Sequence, residues 1–456
     1  MGRLFGTDGV RGVANAPPLT PEIVCRLGRA AAAYLAERTA SRRSRPALLI
    51  GRDTRVSGPL LEQAFVAGVL SAGVDALAAG VLPTPAVAFL TPELGAVGGV
   101  VLSASHNPFE DNGIKLFSAD GDKLPDAWED EIETRLESGS EGPHVTGRGL
   151  GRLRPVRRAE SRYVAGLRLT LPDEFSLAGR RIVLDCGHGA TYRVGPRLFR
   201  LLGAEIVGTL GSRPTGTNIN RGVGALHPEA LQARVRATPG AIGLALDGDG
   251  DRLIVVDEAG AVRDGDHVLA VCARALLARG ALSGGVVVST VMANLGLERA
   301  LSALGVGMAR VAVGDRYVLE EMRRLGANLG GEQSGHVIFL DHARTGDGLL
   351  TAVQLLRAVV EAGQPLSALA GRVEKCPQVL VNVRVRARPP LGELPRVAEA
   401  LARWEGTLDG RARLVVRYSG TESLARVMVE GDEQTSIEAA AREIASAIQE
   451  EIGAMA

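Results

Sequence analysis

One arrangement of apolar and polar positions occurs three times along the chain. A short apolar run, mostly β-branched, ends in a polar loop; a helix-like stretch follows, and a second short run closes the unit. The first copy has Ala47-Leu48-Leu49-Ile50 ending in Gly-Arg-Asp, then residues 59–72, then Gly73-Val74-Asp75. The second has Ile182-Val183-Leu184 ending in Asp-Cys-Gly-His-Gly, then residues 192–202, then Ala204-Glu205-Ile206-Val207. The third has Val286-Val287-Val288 ending in Ser-Thr-Val-Met-Ala-Asn, then residues 295–304, then Val306-Gly307-Met308. Apolar runs this short, bounded by polar loops, read as buried strands. Strand, helix, strand at this spacing is an α/β unit. Three copies predict three related α/β domains, and their uneven spacing argues against a solenoid.

From residue 372 the pattern changes. Segments 379–385 and 413–418 alternate as half-exposed strands do. A last helix is predicted to start at Thr435-Ser436-Ile437-Glu438, a capping-box spacing, with Ile437, Ile444, Ile448 and Ile452 as its apolar stripe. This reads as a smaller α+β domain. Linkers are expected at 139–155 and around 257–265.

Composition narrows the functional classes. A chain of 456 residues exceeds one core, and 46% apolar residues supply several. Basic and acidic residues balance at 52 each, and aromatics are only 3%. That argues against nucleic acid or an anionic membrane as partner. Cys25, Cys186, Cys272 and Cys376 are far apart without CxxC spacing, so neither a zinc site nor a disulfide framework is suggested. The first residues carry charges and glycines where a signal peptide needs an apolar stretch, and Arg274 and Arg279 interrupt the most apolar segment, 268–282. The expectation is a cytoplasmic protein.

Four segments carry candidate chemistry. Asp247-Gly248-Asp249-Gly250-Asp251-Arg252 lies between two apolar runs. Three crowded carboxylates repel one another unless a hard divalent cation such as Mg²⁺ or Ca²⁺ joins them. An EF-hand would use Asp247, Asp249, Asp251 and Glu258, but Arg252 stands where that loop turns on Gly. Asp247 as an aspartyl nucleophile is a further option. In Val100-Val101-Leu102-Ser103-Ala104-Ser105-His106-Asn107-Pro108, a strand end exposes hydroxyls, with Lys115 downstream as a cation for a transferring phosphoryl group or for proton transfer, or the segment is only a turn. Gly330-Gly331-Glu332-Gln333-Ser334-Gly335-His336 offers directional partners for sugar hydroxyls, or is a polar hairpin. Arg417-Tyr418-Ser419-Gly420-Thr421-Glu422, with Arg426 beyond, can nest a phosphate, or is a plain turn. No P-loop spacing is present.

Taken together and in this order, the four segments resemble the α-D-phosphohexomutase superfamily over essentially the whole chain. Leu4-Phe5-Gly6-Thr7-Asp8-Gly9-Val10-Arg11-Gly12, the Ser-Ala-Ser-His-Asn-Pro form and Gly-Glu-Gln-Ser-Gly-His look most like its amino-sugar branch. The resemblance implies three related mixed α/β domains plus a smaller C-terminal α+β domain around a central cleft. Their expected bounds are 1–154 with the serine loop, 155–256 with the metal loop, 257–371 with the sugar loop and 372–456 with the phosphate loop.

It further implies Ser105 as a phosphoserine, and one Mg²⁺ per subunit on Asp247, Asp249, Asp251 and a phosphoserine oxygen. Lys115, Arg11 and Arg252 would surround the phosphoryl group. Glu332 and Ser334 would grip the sugar, with His336 nearby in a catalytic role. Arg417, Ser419, Gly420, Thr421 and Arg426 would hold the non-reacting phosphate. The implied reaction interconverts glucosamine 6-phosphate and glucosamine 1-phosphate, feeding UDP-N-acetylglucosamine synthesis. Glucosamine or glucose 1,6-bisphosphate is the implied activator, and a homodimer is suggested. The rivals are a glucose or mannose phosphate mutase with the same machinery, a phosphatase using Asp247, and a non-catalytic sugar-phosphate binder. Ser105, Lys115 and the acidic triad argue against the last.

Overall fold

The computed structural model describes residues 4–6, 8–39, 45–408, 412–419 and 423–454. They form two compact units: the chain up to Thr290 together with Ala309–Gly371, and Val291–Met308 together with the chain from Arg372 onward. Among the described residues the strands make four sheets.

The first sheet contains β1 (Val10–Val13), β2 (Ala47–Arg52), β3 (Asp75–Val81), β4 (Gly98–Leu102), β5 (Asp111–Ser118) and β6 (Leu153–Pro155), in the order β1-β5-β4-β2-β3-β6. β2 runs parallel to both β3 and β4, whereas β5 returns antiparallel to β4. β4 is buried along its whole length and β2 along all but its last residue, which is why they read as unbroken apolar runs.

The second sheet contains β7 (Arg181–Asp185), β8 (Glu205–Leu210), β9 (Ala241–Leu246), β10 (Leu253–Val256) and β11 (Val262–Arg263), ordered β11-β10-β9-β7-β8. The third contains β12 (Val286–Thr290), β13 (Gly307–Val311), β14 (Leu329–Gly331) and β15 (Val337–Phe339), ordered β13-β12-β14-β15. One device recurs. β4, β9 and β14 each lie parallel to the first strand of their unit, and each is followed by a strand that returns antiparallel. The serine, acidic and Gly-Glu-Gln-Ser-Gly segments are these three turns.

In the other unit, β16 (Gln378–Arg384), β17 (Ala412–Tyr418) and β18 (Leu424–Gly431) form an antiparallel sheet ordered β16-β18-β17. The helix Gln434–Ile452 buries Ile437, Ile444, Ile448 and Ile452 in the same core as Val427 and Val429.

Several sequence expectations shift. The strand expected at 73–75 begins at Asp75 and continues to Val81, since Gly73 takes a left-handed turn first. Both expected linkers contribute strand: β6 adds to β3, and β11 pairs with β10. The last helix starts one residue earlier than expected, and its capping box does not form. Instead Ser436 and Thr435 hydroxyls donate to the Glu433 carboxylate. Cys25 is half-buried, whereas the other three cysteines are buried. Among the described residues no helix is long and apolar enough to cross a membrane.

Candidate active site

Ser105 follows β4 in the turn to β5, with a left-handed backbone (φ 51°) rare for a residue with a Cβ. It is only 1% exposed. Its Oγ donates to Asp247 Oδ2 at 2.6 Å, and His106 Nδ1 lies 3.3 Å from it. Burial, then Arg252 and Arg11, depress the His106 pKa to about 4, so this imidazole is neutral at pH 7. Ser103 faces the other way. Its Oγ donates to Asp53 Oδ2 at 2.6 Å and accepts from the Ser105 N–H at 3.0 Å.

The turn between β9 and β10 brings Asp247, Asp249 and Asp251 together, all buried, with one carboxylate oxygen of each within 4.8 Å of the others. Burial and then the Asp251 and Asp249 charges push Asp247 well above the ordinary carboxylate range. Asp249 Oδ1 and Asp251 Oδ1 are buried without a hydrogen-bond partner. Repelling hard oxygens with vacant lone pairs fit a hard divalent cation. Glu258 does not belong to this set: its Oε1 accepts from the Ser367 N–H at 3.1 Å and Oγ at 2.7 Å. With strands on both flanks, the EF-hand reading fails.

Three cations surround the serine and the triad. Lys115 Nζ, on β5, lies 2.9 Å from Asp249 Oδ2, 3.1 Å from Asp8 Oδ2 and 3.8 Å from Asp251 Oδ2. Burial opposes its charge, but Asp249, Asp8 and Asp251 outweigh burial and raise its pKa above the usual lysine value. Lys115 is therefore held as a standing positive charge. Arg11, on β1, pairs with Asp8 and points Nη1 at the Ala104 carbonyl, 3.5 Å away. Arg252 donates its backbone N–H to Asp247 Oδ1 at 3.2 Å. The Nε of each arginine is buried without a hydrogen-bond partner, Arg252 Nε lying 3.9 Å from Asp251 Oδ1, which suits an anion arriving beside Ser105.

The β14–β15 turn is tied to the acidic turn: the Leu253 N–H donates to the Gly335 carbonyl at 3.0 Å, and Arg252 bridges to His336. Glu332 Oε1 accepts from the Gly314 N–H at 3.2 Å and Oε2 from Ser334 Oγ at 3.1 Å. His336 is buried. Its Nε2 accepts from the Gly346 N–H at 3.0 Å, and its Nδ1 faces Asp251 Oδ2 at 3.5 Å. Both ring nitrogens are thus engaged within the protein, an arrangement that orients Asp251.

The remaining expected residues lie in the other unit. Arg417 and Arg426 are direct partners across β17 and β18, and burial followed by the Arg426 charge lowers the Arg417 pKa. Ser419 is buried and its N–H donates to the Leu424 carbonyl at 2.8 Å. Gly420 and Thr421 lie outside the described residues.

Sequence reading missed several partners. Asp8, Lys123 and Asp315 continue the charged chain: Lys123 Nζ is 2.6 Å from Asp8 and 2.5 Å from Asp315, and Asp315 is 3.4 Å from His336 Nε2. Nothing in local spacing links 8, 123 and 315. Arg55 was closer to view, two positions beyond the Gly-Arg-Asp that ends the first run.

A buried serine on an acidic triad, ringed by fixed cations, is the arrangement of a phosphoryl-transfer site, and the comparisons with known proteins agree. Models of the phosphoglucomutase/phosphomannomutase family match in order: α/β/α domain I at residues 2–142, domain II at 162–260, domain III at 264–376 and the C-terminal domain at 380–447. The chain belongs to this family, the phosphohexomutases. It is 52% identical over 451 residues to the phosphoglucosamine mutase of Desulforudis audaxviator, covering 99% of this chain and 98% of that one. It is 49% identical to the phosphoglucosamine mutase of Geobacillus thermodenitrificans, covering 99% and 100%. A Burkholderia thailandensis phosphoglucomutase/phosphomannomutase family protein superposes with a TM-score of 0.81 at 25% identity, covering 98% and 97%. Aspergillus fumigatus N-acetylphosphoglucosamine mutase, in complex with GlcNAc-6P and magnesium, shares the fold with a TM-score of 0.66 at 17% identity, covering 98% and 95%.

Proposed function

We propose that this chain interconverts glucosamine 6-phosphate and glucosamine 1-phosphate, as an intramolecular phosphotransferase working through phosphorylated Ser105. The observation that carries the reading is the buried Ser105 Oγ held on Asp247 at 2.6 Å, beside carboxylate oxygens and guanidinium N–H groups that have no partner. Relatives about half identical over the full length, named phosphoglucosamine mutases, supply the substrate.

In the forward half-reaction the bond from phosphorus to Ser105 Oγ breaks and a bond to a sugar oxygen forms, that oxygen losing its hydroxyl proton as Oγ regains one, giving a 1,6-bisphosphate. After the sugar turns over, the opposite phosphoryl returns to Ser105, so phosphate is conserved over the cycle. Lys115, Arg11 and Arg252 neutralise the moving phosphoryl group, a reaction governed by positioning and charge. Asp247, Asp249, Asp251 and a phosphoserine oxygen would hold one Mg²⁺ per subunit, whose charge assists the same neutralisation. Glu332 and Ser334 take the sugar hydroxyls once they exchange their mutual bond for the ligand. His336 serves by orienting Asp251. Arg417, Ser419, Gly420, Thr421 and Arg426 hold the non-reacting phosphate. Glucosamine or glucose 1,6-bisphosphate primes Ser105. Domains at 1–154, 155–256, 257–371 and 372–456, a cytoplasmic location and a homodimer complete the reading.

A glucose or mannose phosphate mutase would use the same site, and the family models bear those names. Comparing kcat/KM for glucosamine, glucose and mannose 6-phosphates tests the choice. Glucosamine 6-phosphate is expected to lead; a preference for mannose 6-phosphate would overturn the amino-sugar assignment and leave the chemistry standing.

A further inference from the structure

Ser105 holds its left-handed backbone inside a dense set of bonds that reach its carbonyl, not its hydroxyl. Arg55 is 1% exposed and spends every guanidinium N–H on this loop and its support. Nε donates to Asp53 Oδ2 at 2.9 Å. Nη1 donates to the Pro108 carbonyl and, at 3.0 Å, to that of Asp111. Nη2 donates to the carbonyls of Ser105 at 3.0 Å and Asn107 at 2.9 Å. Asn220 arrives from the second sheet's connections and repeats the last pair: its Nδ2 donates to Ser105 O at 2.9 Å and Asn107 O at 3.1 Å. Two side chains from distant parts of the sequence thus bridge the same two carbonyls. Asn220 is itself left-handed (φ 58°), and its backbone N–H is fixed by the Gly187 carbonyl at 2.8 Å. Below the clamp, Ser103 Oγ links the Ser105 N–H to Asp53, the carboxylate that also holds Arg55.

A left-handed backbone is strained for a residue with a Cβ and persists only where its surroundings impose it. Here the peptide is gripped at both ends, on N–H and on C=O, so the remaining direction for the side chain is toward Asp247. The geometry points to Arg55 and Asn220 as positioning residues that set the aim of the Ser105 hydroxyl. This rests on the reading of Ser105 as the phosphoryl acceptor. Neither residue touches the reacting oxygen. Their effect therefore falls on the rate of transfer and leaves sugar-phosphate binding alone.

Asn220→Gly is the informative variant, because glycine keeps the left-handed backbone and removes only the amide. Arg55→Lys keeps the charge and removes the two-carbonyl fork. Each is measured for kcat and KM with glucosamine 6-phosphate, for single-turnover phosphorylation of Ser105 by glucose 1,6-bisphosphate, and for thermal midpoint. The expectation for Asn220→Gly is a fall in kcat of about tenfold or more with KM within about twofold, and a matching fall in the phosphorylation rate, as misaimed reacting groups produce. Because both residues act on the same carbonyls, the double variant should lose less than the product of the single losses. Wild-type kcat in Asn220→Gly overturns the proposal, as does a loss that appears only in the thermal midpoint or only in KM. If Arg55→Lys does not fold, Asn220→Gly alone decides. Should the wild-type protein itself fail to isomerise glucosamine phosphate, the functional reading falls first, and the phosphorylation rate with glucose 1,6-bisphosphate still tests the clamp.

Discussion

Ser103 and Ser105 stand two positions apart, and their surroundings divide their roles. Ser105 Oγ meets Asp247 from the acidic turn, whereas Ser103 Oγ is used up between Asp53 and the Ser105 N–H. Ser105→Ala should lower kcat by ~10³-fold or more, the scale of removing a covalent nucleophile. Ser103→Ala deletes one support of the loop and should cost about tenfold, the equivalent of one hydrogen bond near 1.5 kcal/mol. Steady-state kinetics of the two variants check this; equal losses would contradict the division. The choice of Ser105 as the proposed phosphoryl carrier rests on local signals: a strand end, a hydroxyl and a following lysine. The clamp and the Asp8–Lys123–Asp315 chain were not legible in the sequence, because their members meet only through the sheets. The partner of His336 Nε2 was not legible either: the Gly346 N–H lies ten positions away across a turn.

Among the elements, three turns of one kind hold the proposed site residues of the larger unit, each joining a parallel strand to an antiparallel return. The repeated apolar runs announced the strand–helix–strand units. They did not announce β15, which is only three residues long, whereas the apolar run after the acidic loop is β10. The turns cross at close quarters. A Cβ on Gly248 would lie 2.5 Å from the Ser105 carbonyl oxygen and 2.9 Å from Asn220 Nδ2. Gly248→Ala should therefore displace the serine turn at a cost of about 1–3 kcal/mol in stability, and lower kcat about tenfold or more. Thermal unfolding together with kcat checks it; an unchanged kcat would show that the turns tolerate separation. In the smaller unit, the opposed Arg417 and Arg426 are the feature that no strand pattern reveals. Arg417→Ala should raise KM about tenfold for both glucosamine 6-phosphate and glucosamine 1-phosphate, the scale of one charge-assisted hydrogen bond. Initial rates in both directions are the check.

At the scale of the whole molecule the net charge is zero, yet one site buries a cluster of charged groups. Buried Asp247, Asp249 and Asp251 repel one another, and Lys115 answers them only in part. Mg²⁺ should thus stabilise the fold as well as support activity. At a concentration near 100 times its dissociation constant it should add about 2.7 kcal/mol to the folded state, raising the thermal midpoint. Chelation by EDTA should abolish turnover, and Glu258→Gln should leave metal dependence unchanged, since Glu258 faces Ser367. The central claim is that phosphate travels through Ser105. Its most direct test is to load the wild-type protein with radiolabelled glucose 1,6-bisphosphate, chase with glucosamine 6-phosphate, and map the label. A hydroxylamine-resistant phosphate on Ser105 itself, assigned within its peptide, is expected to pass to the sugar during the chase. Label on Ser103, or a hydroxylamine-labile acyl phosphate on Asp247, would contradict it.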